Sequence, residues 1–305
     1  NVMFDESLYV IQGAVKNEQE EYKMYCGLKK GEKKIFKKNK KIYKKLADHI
    51  GFFPVVMITP YDINLILEGS ETRRRFFDAL IAQFDKNYLF ELLQYNKLLK
   101  QRNAFLKTNT SSVDLLEVYD EQMIEKAQSI HESRKKFIDE FIPIFNKFYQ
   151  DISSNKEGVD LDYQSALHEN TMKELFIQNR AKDQLVGHTS SGIHRDDFLF
   201  SINSNPLKKF GSQGQQKTYL IALKLAKFEY IKLKKNVNPV LLLDDIFDKL
   251  DDHRVGYILN LIEKNNLGQT FITDTSKEKI PQILANLNIE SNLFWIENGN
   301  SSKLN

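Results

Sequence analysis

The chain divides by the rhythm of its apolar positions. Up to about residue 60 apolar and polar residues alternate, as in LYVIQGAV, and Gly13, Gly31 and Gly51 punctuate the run. That is the pattern of short strands and turns. From about 70 to 150 the apolar spacing becomes three and four, as in LFELLQYNKLL and FIDEFIPIF. This predicts a helix at ETRRRFFDALIAQF, with Ser70 as its cap and Glu71 in its first turn, then longer helices at about 86–107 and 113–150. The polar turn TNTSS joins the long pair, and Pro143 is expected to kink or break the second. Such a pair suggests an antiparallel helical lobe laid against a sheet domain.

From about 157 onward strand and helix alternate. DDFLFSI, NPVLLLDDIF, GQTFITDT and SNLFWIEN are the strand candidates. LLLDD stays apolar until two adjacent aspartates, as a parallel strand buried on both faces requires. Carboxylates at the C-terminal end of such a strand lie where α/β sheets bind ligands. The fold class is therefore α/β, in three regions: 1–68, strands and a hairpin; 69–155, the helical lobe; 156–305, the nucleotide-binding layer.

Composition changes this picture little. Of 305 residues 41% are hydrophobic and 28% charged, enough for a sizeable core. The net charge of +3 does not by itself imply a nucleic-acid partner, but residues 22–45 hold eleven lysines against one acid, Glu32. Cys26 alone excludes an internal disulfide framework and fits a reducing compartment. No apolar run approaches the roughly 18 residues needed to span a bilayer. A soluble, cytoplasmic protein with no membrane partner is expected. The chain opens on Asn1 rather than methionine, so the natural N-terminus is expected to lie upstream.

The densest chemistry lies in FGSQGQQKTYLIALKLAKFEYI, where Gly211, Ser212, Gln213, Gly214 and Gln215 run straight into an apolar-periodic helix. Exposed amides and the positive dipole end of a helix make an anion site. Glycines let a phosphate approach the backbone, and Ser212 and Gln215 add polar side chains. A serine N-cap on a core helix fits the stretch equally well. Read together with LLLDD, it favours nucleotide chemistry, with Asp244 holding Mg²⁺ and Asp245 orienting or deprotonating an attacking water.

These segments, with PVLLLDDIFDKLD and QTFITDT, resemble the RecF family of bacterial recombination mediators, ABC-type ATPases related to SMC proteins. SGIHRDDFLFSI is similar to the family's GPHRDD segment, with Ile193 in place of proline. VVMITPYDINLILEGSETRRRFFD and YNKLLKQRNAFLK resemble the stretch leading into the helical lobe and its first helix. The resemblance implies an ABC-type ATPase head with an inserted helical lobe. It makes Gly211 to Gln215 the signature motif, acting in trans on ATP, Asp244 the Walker B aspartate that accompanies Mg²⁺, and Asp245 the catalytic acid. Asp248 and Asp251 match the D-loop. Thr275 falls at the switch position, and Pro60 to Asp62 lie about where the Q-loop should be, without its glutamine. The implied function is DNA recombination, repair and replication restart, in the DNA-damage (SOS) response. An ATP-dependent homodimer would clamp duplex DNA near gap junctions and help load RecA with RecO and RecR.

One family motif is missing. No GxxxxGK[ST] segment occurs; GLKKGEKK lacks both the spacing and the final Ser/Thr. The simplest account is a truncated gene product, and natural loss of the nucleotide grip is the alternative. Hydrolysis belongs to a full-length protein, whereas this chain alone is expected to be inactive. Lys37, Lys38, Lys40 and Lys41 are candidate DNA contacts, or a solvated hairpin. Arg73 to Arg75 could meet phosphates, although one helix cannot aim three consecutive residues one way. His194 has no second ligand at metal spacing. Asp196 and Asp197 are expected to pair with Arg195 or cap backbone, Trp295 to lie in the core and Cys26 to pack. A transporter nucleotide-binding subunit would show a switch histidine and a Q-loop glutamine, and an SMC head a much longer arm. A non-hydrolysing DNA-binding scaffold is the rival from another class.

Overall fold

The structure, a computed structural model, describes residues 2–304 apart from 17–19, 109–112, 155–156, 248–249, 265–266, 277 and 286–288. The described residues form two compact units, 1–53 and 54–305.

The first unit is a four-stranded antiparallel meander of β1 (Leu8–Lys16), β2 (Glu21–Lys29), β3 (Ile35–Lys38) and β4 (Lys41–Ile42). Asn39 and Lys40 make the β3–β4 turn with φ of 48° and 67°, the left-handed pair that a tight hairpin needs. The Asn39 side chain accepts from the Lys23 amide at 2.9 Å, which fixes the turn against β2. The Lys37 ammonium lies 4.6 Å from the Tyr25 ring centroid, and that of Lys38 lies 4.0 Å from Tyr22 and 3.8 Å from Phe52. Cys26 is half-buried in β2 and free.

In the second unit, β5 (Val55–Ile58) leads through the short α1 (Asn64–Leu67) to α2 (Ser70–Ile81), α3 (Lys86–Leu106) and α4 (Val113–Ser153). Then come β6 (Val159–Gln164), α5 (Met172–Val186), β7 (Asp197–Ile202), β8 (Asn205–Pro206), α6 (Leu207–Phe210) and α7 (Gln213–Lys235). The chain ends with β9 (Val240–Asp244), α8 (Asp252–Glu263), β10 (Thr270–Thr273), α9 (Lys279–Ala285), β11 (Leu293–Glu297) and β12 (Asn300–Leu304). β9 is the middle strand of the parallel trio β10–β9–β5, with Leu241 opposite both Val56 and Thr270. Leu241 and Leu243 are fully buried, which explains why this strand carries no polar residue before Asp244. β6, β7 and β8 form an antiparallel sheet, and β11 pairs with β12 as a separate hairpin.

The two long helices fall where the periodicity placed them, although part of the TNTSS turn lies outside the described residues. Other expectations are corrected. Ser70 is the first helical residue; Gly69, extended at φ −81° and ψ −177°, precedes it, and no side chain caps α2. Pro143 does not end its helix, which runs on to Ser153. The lost backbone bond is offset by burial on either side, where Phe141 and Phe145 are fully enclosed. Trp295 is not core: it is half-buried on β11 and donates to Glu297 at 3.2 Å.

Two buried arginines tie the helices together and to the segment that leads into β7. Arg134 of α4 reaches Asp78 of α2 at 3.0 Å and, at 2.8 Å each, Asp196 and the Ile193 carbonyl. Arg102 of α3 holds Asp120 at 2.7 Å and Asp183 and Thr189 at 2.8 Å. Asp196 and Asp197 therefore do not pair with Arg195, whereas Asp197 Oδ1 does cap backbone, accepting from the Phe198 amide at 2.7 Å. Arg73 takes Asp197 through two 2.8 Å bonds, a fork whose geometry matches the carboxylate. Arg74 donates to the Asp196 carbonyl at 2.5 Å, and Arg75 pairs with Glu71 one turn back. All three arginines are thus engaged within the chain.

Candidate nucleotide site

Two clusters gather the predicted site residues. At the C-terminal end of the parallel sheet, the Thr273 hydroxyl of β10 donates to Asp244 Oδ1 at 2.6 Å, and the Thr273 carbonyl accepts from the Asp245 amide at 3.1 Å. Asp245 has a φ of 50°, in the left-handed region that only aspartate and asparagine tolerate well among side-chain-bearing residues. The strand thus ends with the Asp244 carboxylate and the Asp245 backbone both held by Thr273 of β10. Thr275 lies two residues beyond Thr273 and is exposed.

The second cluster is the start of α7. Ser212 and Gln215 form a reciprocal capping box: Gln215 N–H donates to Ser212 Oγ at 3.2 Å, and Ser212 N–H to Gln215 Oε1 at 2.7 Å. Gln215 Nε2 donates to Glu157 at 2.8 Å, so its side chain is fully occupied in holding the turn. The serine cap of the simpler reading and the anion site of the other occupy the same residues. The backbone amides of Gln213 and Gly214 precede the first intrahelical bond, and Ser212 and Gln213 are exposed.

Both glycines answer to close neighbours. A Cβ at Gly211 would stand 2.7 Å from the Leu207 carbonyl oxygen, and one at Gly214 would stand 3.4 Å from the Arg254 guanidinium. Arg254, on α8, donates to the Gly214 carbonyl at 2.8 Å and from Nε to Thr218 Oγ1 at 2.7 Å. Its own amide is capped by Asp251 Oδ1 at 3.0 Å, and its guanidinium pairs with the same carboxylate. Asp251 is thereby linked to the α7 start. Asp248 lies outside the described residues.

A third group joins α7 to the segment after β5. Lys224 donates to Asp62 Oδ1 at 2.6 Å and to the Met57 carbonyl at 2.9 Å, and Asp62 Oδ2 accepts from the Thr59 amide at 2.8 Å. Burial lowers the Lys227 ammonium, one turn on, to about 8, with Lys224 beside it adding to the effect. Gln213, Gln216 and Leu220 of α7, Pro60, and Ile246 and Leu250 after β9 line one cavity of about 390 Å³. His194 is no metal ligand: its ring lies between Tyr95 Oη at 2.9 Å and the Thr189 carbonyl at 3.1 Å, and burial lowers it to about 4.

Arg254, Thr273 and Glu157 were not singled out from the sequence. Thr273 sits inside the quoted GQTFITDT stretch, and its hydroxyl faces the strand end only because β10 and β9 are in register.

No profile of a known protein family matches the chain. A curated protein of Flavobacterium johnsoniae, named DNA replication and repair protein RecF, is 49% identical over 288 residues, 93% of this chain and 80% of its own length. A protein of the same name from Phocaeicola vulgatus is 45% identical over 302 residues, 98% of this chain and 81% of its own. A solved structure of the recombination mediator RecF with ATP, of the RecFOR pathway, superposes with a TM-score of 0.87 at 34% identity, over 99% of this chain and 81% of that one. An SMC head matches at 0.53 with 13% identity, a likeness of fold alone. The architecture is that of an ABC-type ATPase head. The chain belongs to the RecF family of DNA replication and repair proteins.

Proposed function

We propose that this chain forms the body of an ATP-dependent DNA-binding dimer in which the α7 start of one subunit meets the nucleotide of the other. The observation that carries the reading is the open pair of amides at Gln213 and Gly214, in a RecF-family chain whose β9 ends on Asp244 and Asp245. A helix start attracts a phosphate. As in the family that the chain resembles, the γ-phosphate that reaches Gly211 to Gln215 is one held by a second subunit.

Asp244 offers the carboxylate oxygen that Thr273 leaves open, with Asp245 beside it. These are hard oxygen donors, which suit Mg²⁺. Bound there, Mg²⁺ supplies neutralisation of charge on the transferring phosphoryl group. Asp245 takes the proton of the attacking water. Asp251 and, outside the described residues, Asp248 form the D-loop, and Thr275 occupies the switch position.

The wider role follows the family: duplex DNA bound near gap junctions, with RecO and RecR as partners in loading RecA, in the cytoplasm. Among the described residues no helix is long and apolar enough to cross a membrane. Residues 1–68 and 156–305 are assigned to the ATPase lobe and 69–155 to the helical lobe.

The test is Mg²⁺-dependent ATP hydrolysis by the 305-residue chain and by a chimera carrying a relative's Walker A segment ahead of residue 1. The chimera should hydrolyse ATP, lose that activity on Asp245→Asn, and contrast with an inactive 305-residue chain. Asp245-dependent hydrolysis by the chain alone, or an inert chimera that binds ATP, would overturn the reading and leave a scaffold.

A further inference from the structure

A cation sits where the helix dipole argues against one. The first turn of α7 carries the positive end of the macrodipole, and a positive side chain packed there is ordinarily unfavourable. Arg254 is nevertheless held against that turn, with its side chain 18% exposed, 2.8 Å from the Gly214 carbonyl and 2.7 Å from Thr218 Oγ1. Thr218 Oγ1 in turn donates to the same Gly214 carbonyl at 3.0 Å. The guanidinium forms one described ion pair, with Asp251, which is 52% exposed, and Glu157, which accepts from Gln215, also acts on it through space. A local rule is broken, and a Cβ at Gly214 would stand in contact with the guanidinium at 3.4 Å.

We infer that Arg254 is a positioning residue for the nucleotide that α7 meets: it fixes the first turn of α7 and adds positive potential to it, and Asp251 controls both. This inference rests on the trans-acting reading of Ser212 to Gln215. The fork geometry does the fixing, because one guanidinium grips a carbonyl and a hydroxyl four residues apart on one helix face. The charge raises the potential at the open amides, where an incoming phosphate gains from it. Asp251 caps α8 through the Arg254 amide and neutralises the guanidinium through its other oxygen. A partner subunit that engages the half-exposed Asp251 would withdraw part of that neutralisation and leave the α7 start more attractive to an anion. Occupancy on the Asp251 side and phosphate capture at α7 then reinforce each other.

Fork and charge are separable. Arg254→Lys keeps the charge and loses the fork; Arg254→Gln loses the charge and keeps one amide donor. Both go into the chimera that binds ATP, beside Ser212→Arg as the control for the underlying reading. Measured are ATP affinity of the monomer, the ATP-dependent dimerisation constant by sedimentation, and Tm without nucleotide. Expected are an unchanged monomer affinity, dimerisation weakened about tenfold or more by Arg254→Gln and by a smaller factor by Arg254→Lys, and Tm shifts too small to account for either. Asp251→Asn, which leaves the guanidinium less neutralised, should not weaken dimerisation as Arg254→Gln does. If Ser212→Arg blocks dimerisation while both Arg254 variants dimerise like the parent, or do so only in proportion to a lowered Tm, Arg254 is a structural strut and the inference fails. If Ser212→Arg itself dimerises normally, the trans-acting reading falls and takes the inference with it.

Discussion

Thr273 and Asp244 meet across the parallel pair β10–β9: the threonine hydroxyl donates to Asp244 Oδ1 at 2.6 Å while the Thr273 carbonyl accepts from the next amide, that of Asp245. One residue therefore orients the carboxylate assigned to Mg²⁺ and the backbone of the residue assigned as base. Thr273→Val removes the first bond and spares the second. The expected outcome in the ATP-binding chimera is a loss of roughly tenfold or more in Mg²⁺ affinity or hydrolysis, as for other residues that orient a metal ligand. Thr273→Ser should restore it. A Thr273→Val variant with unaltered Mg²⁺ titration would show that Asp244 needs no such support.

Asp245 at φ 50° constrains what may replace it. Asparagine tolerates the left-handed region as aspartate does, whereas alanine is strained there by about 1 kcal/mol. Thermal melting should separate the two: Asp245→Asn near the parent, Asp245→Ala lower. Equal melting temperatures would mean that the turn relaxes in solution.

Buried charge dominates the helical lobe. Arg134 is 1% exposed between Asp78 and Asp196, so Arg134→Met leaves two carboxylates without their cation and should cost about 3–5 kcal/mol. The exposed Arg75–Glu71 pair should contribute no more than about 0.5 kcal/mol. Denaturant unfolding of Arg134→Met and Arg75→Ala checks the contrast; similar losses would contradict it.

Acid should loosen the same region. Burial lowers both His131 and His194 to about 4, below the ordinary value near 6.5. The unfolded chain therefore takes up protons first, and the stability contributed by neutral histidine is complete above about pH 6.5 and lost as pH falls from there towards 4. His194→Gln, which can still donate to Thr189 and accept from Tyr95, should flatten the decline in Tm between pH 7 and 5. An unchanged slope would remove His194 from the account.

The lysine hairpin divides into two kinds of residue. Lys40 and Lys41 are exposed at the β3–β4 turn, whereas Lys37 and Lys38 lie over aromatic rings. If the hairpin contacts DNA, replacing all four with glutamine should weaken duplex binding and flatten its salt dependence, with Lys40 and Lys41 carrying the larger share. Identical affinity and salt slope would leave the hairpin as solvated surface.

What could be read from the sequence was local or strongly periodic. LLLDD announced β9 because burial on both faces leaves no polar position, and GSQGQQ announced the α7 start because a capping box is completed within four residues. The two long helices were legible from their spacing. The functional contacts of Arg254 and Thr273 were not, since their partners lie 36 and 29 residues away and depend on how α8 and β10 dock. Asp196 was matched with its neighbour Arg195, but its cation comes from 62 residues upstream. Pro143 did not break its helix because local backbone chemistry gave way to packing, and Trp295 misled because apolar neighbours on a two-stranded hairpin do not make a core.

The most direct test of the central claim compares Ser212→Arg with Asp245→Asn in the ATP-binding chimera, by sedimentation with and without ATP. A bulky side chain at Ser212 blocks the approach of a phosphate to the open amides without touching the nucleotide's own subunit. Asp245→Asn spares the phosphate contacts and removes the base. The expected result is a Ser212→Arg protein that binds ATP but stays monomeric, and an Asp245→Asn protein that forms a stable ATP-bound dimer without hydrolysis. An Ser212→Arg protein that still dimerises on ATP would contradict the claim and reduce the start of α7 to a capped core helix.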